Sequence, residues 1–387
     1  MMKTELRYLH AGEMNALSRM LNTAFTGDPD SRHFEEGLPK MWVDDDEHMH
    51  RHIAVFEGDV MAGAVGIYPY DVRIGEKNLR FATVGNIGVL QQYRGRGYMR
   101  ALMEAAMAEL SSQQIDVSRL GGLRTRYERW GYEMCGTNYT VRLSGRNARE
   151  AYPGSTGITF VPVEAEDAAA LSFIRTLYRR AAIACERGGD RDLYRTLCAW
   201  KNRPYLAYCG GEVIGYLCAS PDGASVAEHG AVDAARQTAM LCAWVMTCGA
   251  YEIRAEVYPW DVPLCRAIGA VCESFTASPA TQCKILSPDR FADALLSLKA
   301  SMTPLVPGTV SLGIDGWGTL VMEITEGSAR AYRGGGSPDS SADALTAARM
   351  LFGMMPPDLC APLSEQTRRL LSAWLPLPFS WNGQDRV

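Results

Sequence analysis

Two glycines one residue apart separate a strand-like segment from a helix-like segment in the first third of the chain. Gly95 and Gly97 follow the apolar run that ends at Val89, and a helical pattern begins after Gly97. Without a Cβ, a glycine lets the backbone approach a ligand closely. The N–H groups at a helix N-terminus attract anions, and Arg94 and Arg96 add positive charge. The segment predicts a pyrophosphate site, and a turn without a ligand is the alternative.

Sequence periodicity predicts the elements that surround this turn. Apolar residues at three- and four-residue spacing predict a helix over Asn15–Phe25. Two apolar runs, His52–Phe56 and Val60–Tyr68, flank Gly58-Asp59 and predict a β-hairpin. A sheet built from hairpins that leads into a glycine turn and a helix indicates the α+β class.

The length of the chain and its turn-rich stretches indicate three structural units. A chain of 387 residues exceeds the size at which one hydrophobic core usually keeps growing. Turn-forming residues cluster between Ser144 and Gly157, and the pattern changes again beyond Ser278-Pro279. The second unit repeats the order of elements without the glycine pair. The predicted units are 1–148, 149–281 and 282–387, the last a smaller α+β unit.

Charge and cysteine content restrict the partners and the compartment. The net charge of -5 offers no basic excess for a nucleic acid or an anionic membrane. The 11 cysteines include no C-x-x-C pair, which favours reduced thiols. No signal peptide or long apolar stretch is present. We expect a cytoplasmic protein that binds neither nucleic acid nor membrane.

The spacing Gln92-x-x-Gly95-x-Gly97 resembles the Q/R-x-x-G-x-G/A signature of the GNAT acetyltransferase superfamily. The resemblance implies acetyl-CoA as the co-substrate and no metal. It also implies that Ile87, Gly88 and Val89 bind the pantetheine arm through a strand that diverges from its neighbour. The cofactor residues implied in this way are Ile87, Gly88, Val89, Gln92, Arg94, Gly95, Arg96, Gly97, Tyr98, Met99, Arg100, Gly122 and Leu123.

The segment from Tyr127 to Tyr132 resembles the Y-x-x-x-G-Y/F segment that GNAT enzymes place beside the acetyl thioester. A tyrosine hydroxyl there can deliver a proton to the departing thiolate. The resemblance therefore implies Tyr127 as the general acid. The alternative is that Tyr127, Trp130 and Tyr132 are core aromatics, which is our interpretation for Trp130 and Tyr132.

The order of a GNAT unit, a silent GNAT-like unit and a small last unit resembles the enhanced-intracellular-survival (Eis) acetyltransferases. This resemblance implies tandem GNAT folds with mixed, mostly antiparallel sheets, and a sterol-carrier-protein-like C-terminal domain. It also implies a homo-oligomer, typically a hexamer. The acceptor it implies is a primary amine of an aminoglycoside-like or other cationic molecule, or a lysine side chain.

In these relatives the C-terminal carboxylate enters the active site as the general base, which implies that role for Val387. The sequence departs from their acidic-aromatic ending, because Gly383-Gln-Asp-Arg-Val387 stands there, and a mobile tail is the alternative. The helical region near the N-terminus implies Phe25, Asp28 and Trp42 as substrate contacts, with surface loop residues as the alternative.

Three alternatives to this assignment stay open. The acceptor can be a protein lysine or a polyamine, with antibiotics only incidental substrates. The chain can also be a lipid-binding protein whose acetyltransferase unit is degenerate. His48-x-His50-x-His52 would line one face of a strand and offers metal ligands in principle, but beside Asp44 to Glu47 a solvated polar edge is the preferred interpretation.

Overall fold

The computed structural model describes residues 4–154 and 156–387. Thirteen strands of the described residues form one continuous mixed sheet, and four more form a separate sheet. Among the described helices, none combines the length and the apolar character that crossing a membrane requires. The prediction of mixed, mostly antiparallel sheets with helices is confirmed.

The first unit is a hairpin-based sheet covered by helices on its faces. Its strands are β1 Thr4–Tyr8, β2 His52–Glu57, β3 Val60–Ile74, β4 Lys77–Val89, β5 Val117–Leu120 and β6 Glu133–Ser144. Its helices are α1 Met14–Thr26, α2 His33–Gly37, α3 Asp46–Met49, α4 Tyr98–Ser112, α5 Arg124–Tyr127 and α6 Gly145–Ala151. Helix α1 buries Leu17, Met20 and Leu21, the residues whose spacing predicts it.

The second unit repeats this order of elements. Its strands are β7 Ile158–Pro162, β8 Ile183–Cys185, β9 Arg203–Cys209, β10 Glu212–Ala219, β11 Ser225–Ala231, β12 Glu252–Val257 and β13 Ser274–Ile285. Its helices are α7 Ala168–Tyr178, α8 Asp190–Leu197, α9 Ala234–Thr247 and α10 Val262–Gly269. Strand β8 departs from the repeat, because it pairs with β3 of the first unit.

The two units share one sheet because their last strands are interleaved. The strand order is β1-β2-β3-β4-β5-β13-β6-β12-β11-β10-β9-β7. Strand β13 lies between β5 and β6, and β6 also pairs with β12. The boundary predicted after residue 148 falls inside α6, and the boundary predicted after residue 281 falls inside β13. The division into three domains stays a prediction.

The third unit packs helices against its own sheet, ordered β16-β15-β14-β17. The strands are β14 Gly308–Ile314, β15 Gly318–Thr325, β16 Ser328–Gly334 and β17 Ser340–Ala342. The helices are α11 Pro288–Met302, α12 Ala344–Phe352, α13 Pro357–Cys360 and α14 Glu365–Trp374. The core between them is filled by Phe291, Leu295, Leu320, Leu351 and Trp374, each at most 1% exposed.

The tail after α14 is packed between the units. Phe379 and Trp381 are buried, and the Trp381 ring stacks on Phe81 of β4 at a centroid distance of 5.6 Å. Gln384 and Asp385 are buried as well. The tail is therefore anchored, in contrast to the alternative of a mobile tail.

Candidate active site

The glycine turn has the backbone geometry that its sequence predicts. Gly95 and Gly97 have φ angles of +81° and +83°, in the left-handed region that favours glycine. Gly97 is the N-cap of α4, and no side chain of the described residues caps this helix. The first N–H groups of α4 are therefore available to an anion.

A cavity of about 640 Å³, which we call the turn cavity, opens at this helix N-terminus. Two arginines that the sequence analysis missed, Arg126 and Arg129, line it beside the predicted Arg94 and Arg100. They lie in α5 and directly after it, beside the segment in which the sequence analysis assigned a catalytic role to Tyr127 alone. The other predicted cofactor residues in its wall are Ile87, Gly88, Val89, Gly95, Gly97, Tyr98 and Met99.

Four predicted cofactor residues do not line the turn cavity. Gly122 and Leu123 line the neighbouring cavity described below, and Gln92 and Arg96 line neither. Gln92 is exposed. Arg96 donates from one nitrogen to both carboxylate oxygens of Glu57 at 2.7 Å, and Tyr98 donates to the same carboxylate at 2.8 Å. The Glu57 bond raises the pKa of Arg96, while the Tyr98 bond and Arg96 lower the pKa of Glu57. Glu57 therefore forms a salt bridge with Arg96 and neutralises its charge.

Strand β4 diverges from β5 next to the turn. The two strands pair from Phe81 to Val84 only, and the register with β3 shifts in the following residues. Asn86 lies in this bulge with a φ of +51°. The carboxyl end of β4 thus has backbone groups that β5 does not pair, which is the arrangement predicted for Ile87 to Val89.

A buried hydrogen-bond chain holds the bulge. The Asn86 side-chain amide donates to the Tyr68 hydroxyl at 2.7 Å, and this hydroxyl lies 2.8 Å from His52 Nε2. Burial lowers the pKa of His52 to about 4, so the ring is neutral at physiological pH. These hydrogen bonds fix the bulge, and none of the three side chains carries a charge.

A second cavity of about 500 Å³, which we call the acceptor cavity, adjoins the turn cavity. Phe25, Ile87 and Arg126 line both cavities. The two cavities therefore form one continuous trough along the end of β4. The predicted residues that line the acceptor cavity are Phe25, Ile87, Gly122, Leu123, Tyr127 and Val387.

Tyr127 lies at the end of α5 in the wall of the acceptor cavity. The residue is only 5% exposed. Gly122 has a φ of +130°, and a Cβ there would lie 2.8 Å from Tyr127 Cε2. Any larger residue at position 122 would displace the ring, so Gly122 sets the position of Tyr127 as well as lining the cavity.

Val387 lines the same cavity as Tyr127. Its Cγ1 lies 3.2 Å from the position of a Cβ on Gly85. Arg187 donates to Asp385 at 2.8 and 2.9 Å and to Glu228 at 2.9 and 2.6 Å. Lys40 Nζ donates to the Gln384 carbonyl at 2.6 Å, and burial lowers the pKa of Lys40 to about 8. These contacts position the tail residues just before Val387.

Two of the three predicted substrate contacts lie away from the acceptor cavity. Asp28 is exposed and accepts a hydrogen bond from the Asp30 backbone at 2.9 Å. Trp42 packs beside Phe34, with ring centroids 6.2 Å apart, and lines neither cavity described above. Phe25 alone is in the trough.

Trp200 and Lys201 of the second unit complete the acceptor cavity and were missed by the sequence analysis. Both have left-handed backbones, with φ angles of 61° and 63°. Such strain in non-glycine residues costs about 1–3 kcal/mol and clusters at functional sites. Lys201 pairs with Glu36 at 2.8 Å. No sequence signal connects these residues to the glycine turn, because the contact joins two units.

The three alternating histidines do not share a strand face, in contrast to the alternative in which they offer metal ligands from one strand. His48 lies in α3, and its Nδ1 is 2.7 Å from the Asp45 carboxylate, whereas His52 begins β2 and is buried. His50 is exposed, with its ring 4.8 Å from His10. The helical N-cap at Asp45 breaks the alternation.

Residues 5–135 match the sequence profile of a family described as an acetyltransferase (GNAT) domain. The matched segment contains the glycine turn, the diverging strands and Tyr127. Over these residues the chain is similar to GNAT acetyltransferase domains. The prediction of a GNAT-type N-acetyltransferase is confirmed at the level of this domain, and GNAT domains use acetyl-CoA as co-substrate. No curated protein matches the chain.

Solved structures share the fold of this chain along nearly its whole length. A GCN5-related N-acetyltransferase from Kribbella flavida is 18% identical, with a TM-score of 0.69 and 98% of each chain covered. One from Anabaena variabilis is 14% identical, with a TM-score of 0.67 and 98% of each chain covered. Eis1 from Mycobacterium abscessus is 19% identical, with a TM-score of 0.65 and coverage of 98% of this chain and 99% of that chain. At these identities the likeness concerns the fold.

Proposed function

We propose that the chain transfers the acetyl group of acetyl-CoA directly to a primary amine. The observation that carries this proposal is the continuous trough, which joins the uncapped N-terminus of α4 to Tyr127 and Val387. Arg94, Arg100 and the two missed arginines give the turn cavity the charge that suits phosphate groups. The unpaired end of β4 suits the amide groups of a pantetheine arm.

In this proposal, Tyr127 is the general acid and Val387 supplies the general base through a terminal carboxylate. The amine nitrogen bonds to the thioester carbonyl carbon and gives up a proton to the carboxylate, and the carbon–sulfur bond breaks. The Tyr127 hydroxyl delivers a proton to the departing sulfur, and it is restored from solvent. The position of both residues in one cavity supports these roles.

The charges of the acceptor cavity favour an amine with an apolar body. Among the described lining residues, Arg126 and Lys201 are cationic, none is Asp or Glu, and the proposed anion is the Val387 carboxylate. Phe25, Phe34 and Trp200 provide aromatic walls. A polycation would meet the positive charge of Arg126 and Lys201 in this wall, whereas an arylalkylamine would bury its ring and present one amine to Val387.

An aminoglycoside-like or other cationic acceptor is the second candidate, because the fold is similar to that of Eis1 from Mycobacterium abscessus. Protein lysines and polyamines belong to the same class. By the same resemblance we propose tandem GNAT folds, a sterol-carrier-like third unit and a homo-oligomer such as a hexamer. The densely packed core of the third unit disfavours the alternative that the chain is a lipid-binding protein.

Steady-state kinetics with a panel of amines distinguishes these acceptors. We expect kcat/KM for 2-phenylethylamine to exceed that for an aminoglycoside, spermidine or a lysine peptide. The variant Lys201→Glu reverses one wall charge, and it should shift the preference toward the polycations. Exposed Arg146, which pairs with Glu150 in α6, offers the control Arg146→Glu. A wild-type preference for polycations that Lys201→Glu leaves unchanged would contradict the proposed acceptor class.

A further inference from the structure

The short helix α5 carries side chains that line both cavities of the trough. It contains Arg126, which lines the turn cavity and the acceptor cavity, and it ends at Tyr127. Arg129 follows directly and lines the turn cavity. The position of α5 therefore decides where these two cationic groups and the Tyr127 ring lie. A helix of only four residues is not stable by itself, so contacts from outside must hold it.

The first residue of α5 is bound by a buried carboxylate. Glu133 begins β6, and its side chain is only 1% exposed. It accepts hydrogen bonds from Arg124 Nε and Nη2, each at 2.6 Å. Such a bidentate pair fixes the direction of the guanidinium as well as its distance. Glu133 thus holds α5 at its first residue.

The same carboxylate is bound by a residue of the third unit. Arg349 of α12 donates from Nε to Glu133 Oε2 at 3.1 Å, and its Nη2 donates to the same oxygen. Ala348 and Met350, the neighbours of Arg349, are buried in the core of the third unit. Burial alone would raise the pKa of Glu133, but the bonds from both arginines lower it to about 2. A continuous chain of contacts therefore runs from α12 through a charged Glu133 to α5.

Two side chains of β13 hold the backbone on either side of α5. Gln282 donates to the Gly122 carbonyl at 2.5 Å, and Lys284 Nζ donates to the Trp130 carbonyl at 2.9 Å. Both carbonyls lie outside the helix. Among the described residues, the bidentate bonds to Glu133 are the side-chain hydrogen bonds that connect α5 itself to another element. The direction of the helix therefore depends on Glu133.

We propose that Glu133 is a positioning residue for the acetyltransferase site and that Arg349 makes the third unit a structural part of this site. Loss of either contact loosens α5, which moves Arg126 away from the phosphate groups of CoA and the Tyr127 hydroxyl away from the thioester sulfur. A misplacement of about 1 Å can cost about 10²-fold in rate. The effect on turnover rests on the acetyl transfer proposed above, whereas the effect on CoA binding does not.

Three variants of the full-length protein test the proposal. Arg349→Met leaves Arg124 paired, so CoA affinity measured by calorimetry should fall about three- to tenfold and kcat about tenfold, with the KM for the amine within about threefold. Arg349→Lys should recover most of both values, because Arg349 binds a single oxygen and one ammonium can do the same. Glu133→Gln keeps the size of the side chain and removes its charge, so its losses should exceed those of Arg349→Met. It also decides the question if Arg349→Met does not fold.

The matched control is Arg330→Met, because Arg330 pairs with Glu323 within the sheet of the third unit. This variant should keep the CoA affinity and the kcat of the wild type. Hydrogen exchange of the amides of residues 124–130 gives a second measurement that needs no turnover. Exchange there should be faster in Arg349→Met and Glu133→Gln and unchanged in Arg330→Met.

A folded Arg349→Met protein with the CoA affinity and the kcat of the wild type would overturn the proposal. Lower stability or faster exchange without a change in either value would give Arg349 a purely structural role and would also overturn it. Equal losses in Arg330→Met would assign the effect to the stability of the third unit, with the same consequence. If the wild type binds CoA and acetylates no amine, the proposed function fails, while the CoA affinities and exchange rates still decide this inference.

Discussion

Arg187 is the charged centre that anchors the tail, and its replacement by methionine should destabilise the protein strongly. Its side chain is 3% exposed and bonds to Glu228 and Asp385, which are 1% and 6% exposed. Its guanidinium also lies 3.6 Å from the ring centroid of Tyr178. Arg187→Met keeps much of the apolar stem but leaves two buried carboxylates without a cation. Breaking a buried ion pair by removing one partner costs about 3–5 kcal/mol, which we expect as the loss in unfolding free energy at pH 7.

The matched control is Arg179→Met, because Arg179 pairs with Glu186 on the surface. These side chains are 3.2 Å apart and 58% and 57% exposed. Exposed pairs contribute about 0–1 kcal/mol, so this variant should lose less than about 1 kcal/mol. Urea unfolding of both variants, followed by tryptophan fluorescence, gives the comparison. If Arg187→Met is no less stable than Arg179→Met, the ion-pair network is not what anchors the tail.

The difference between Arg187→Met and the wild type should depend on pH. Burial alone raises the pKa of Asp385, but Arg187 outweighs it and lowers this pKa below its ordinary value. The stability from this carboxylate is thus present above its unfolded pKa of about 3.9 and is lost as the pH falls through the folded pKa. Without Arg187, burial raises the pKa of Asp385. Its carboxyl group is then protonated at a higher pH, which removes an unpaired buried charge from the variant. The difference in unfolding free energy should therefore narrow from pH 7 toward about pH 4, and a constant difference would contradict this.

Three further predictions concern the active site and the assembly. Tyr127→Phe keeps the buried ring and removes the hydroxyl, so kcat should fall by about 10²-fold with little change in acetyl-CoA affinity. If kcat, measured in stopped assays, changes by no more than about threefold, Tyr127 is a packing residue. Gly97→Trp should abolish acetyl-CoA binding measured by calorimetry. The control Gly97→Ala has the same left-handed backbone cost of about 1–2 kcal/mol and should retain more of this binding. If Gly97→Trp binds acetyl-CoA nearly as well as the wild type, the glycine turn is not part of the site. Light scattering should show a closed homo-oligomer, and a monomer at micromolar concentration would count against the Eis-like assembly.

Local sequence patterns predicted the elements that depend on nearby residues. The period of apolar residues predicted α1, and the two glycines predicted the left-handed turn before α4, because both features arise within a few residues. The profile match and the turn geometry agree with that prediction. The alternative of a strand face shared by His48, His50 and His52 is also decided locally, since the Asp45 N-cap starts a short helix that includes His48.

Features that join distant parts of the chain were not predictable from the sequence. The insertion of β13 between β5 and β6 joins residues more than a hundred positions apart. Trp200 and Lys201 of the second unit line the acceptor cavity. Glu57 of β2 neutralises the charge of Arg96 in the glycine turn. Periodicity and spacing carry no information on such contacts, which follow from how the units pack.

Amine-dependent release of free thiol from acetyl-CoA is the most direct test of the central claim that the trough carries out acetyl transfer. Purified full-length protein and Gly97→Trp are compared side by side with the amine panel, and the acetylated product is identified by mass spectrometry. We predict thiol release that requires both protein and amine, yields an N-acetylated product, and is lost in Gly97→Trp. Thiol release that does not depend on the amine, or that is equal in Gly97→Trp, would contradict acetyl transfer in this trough.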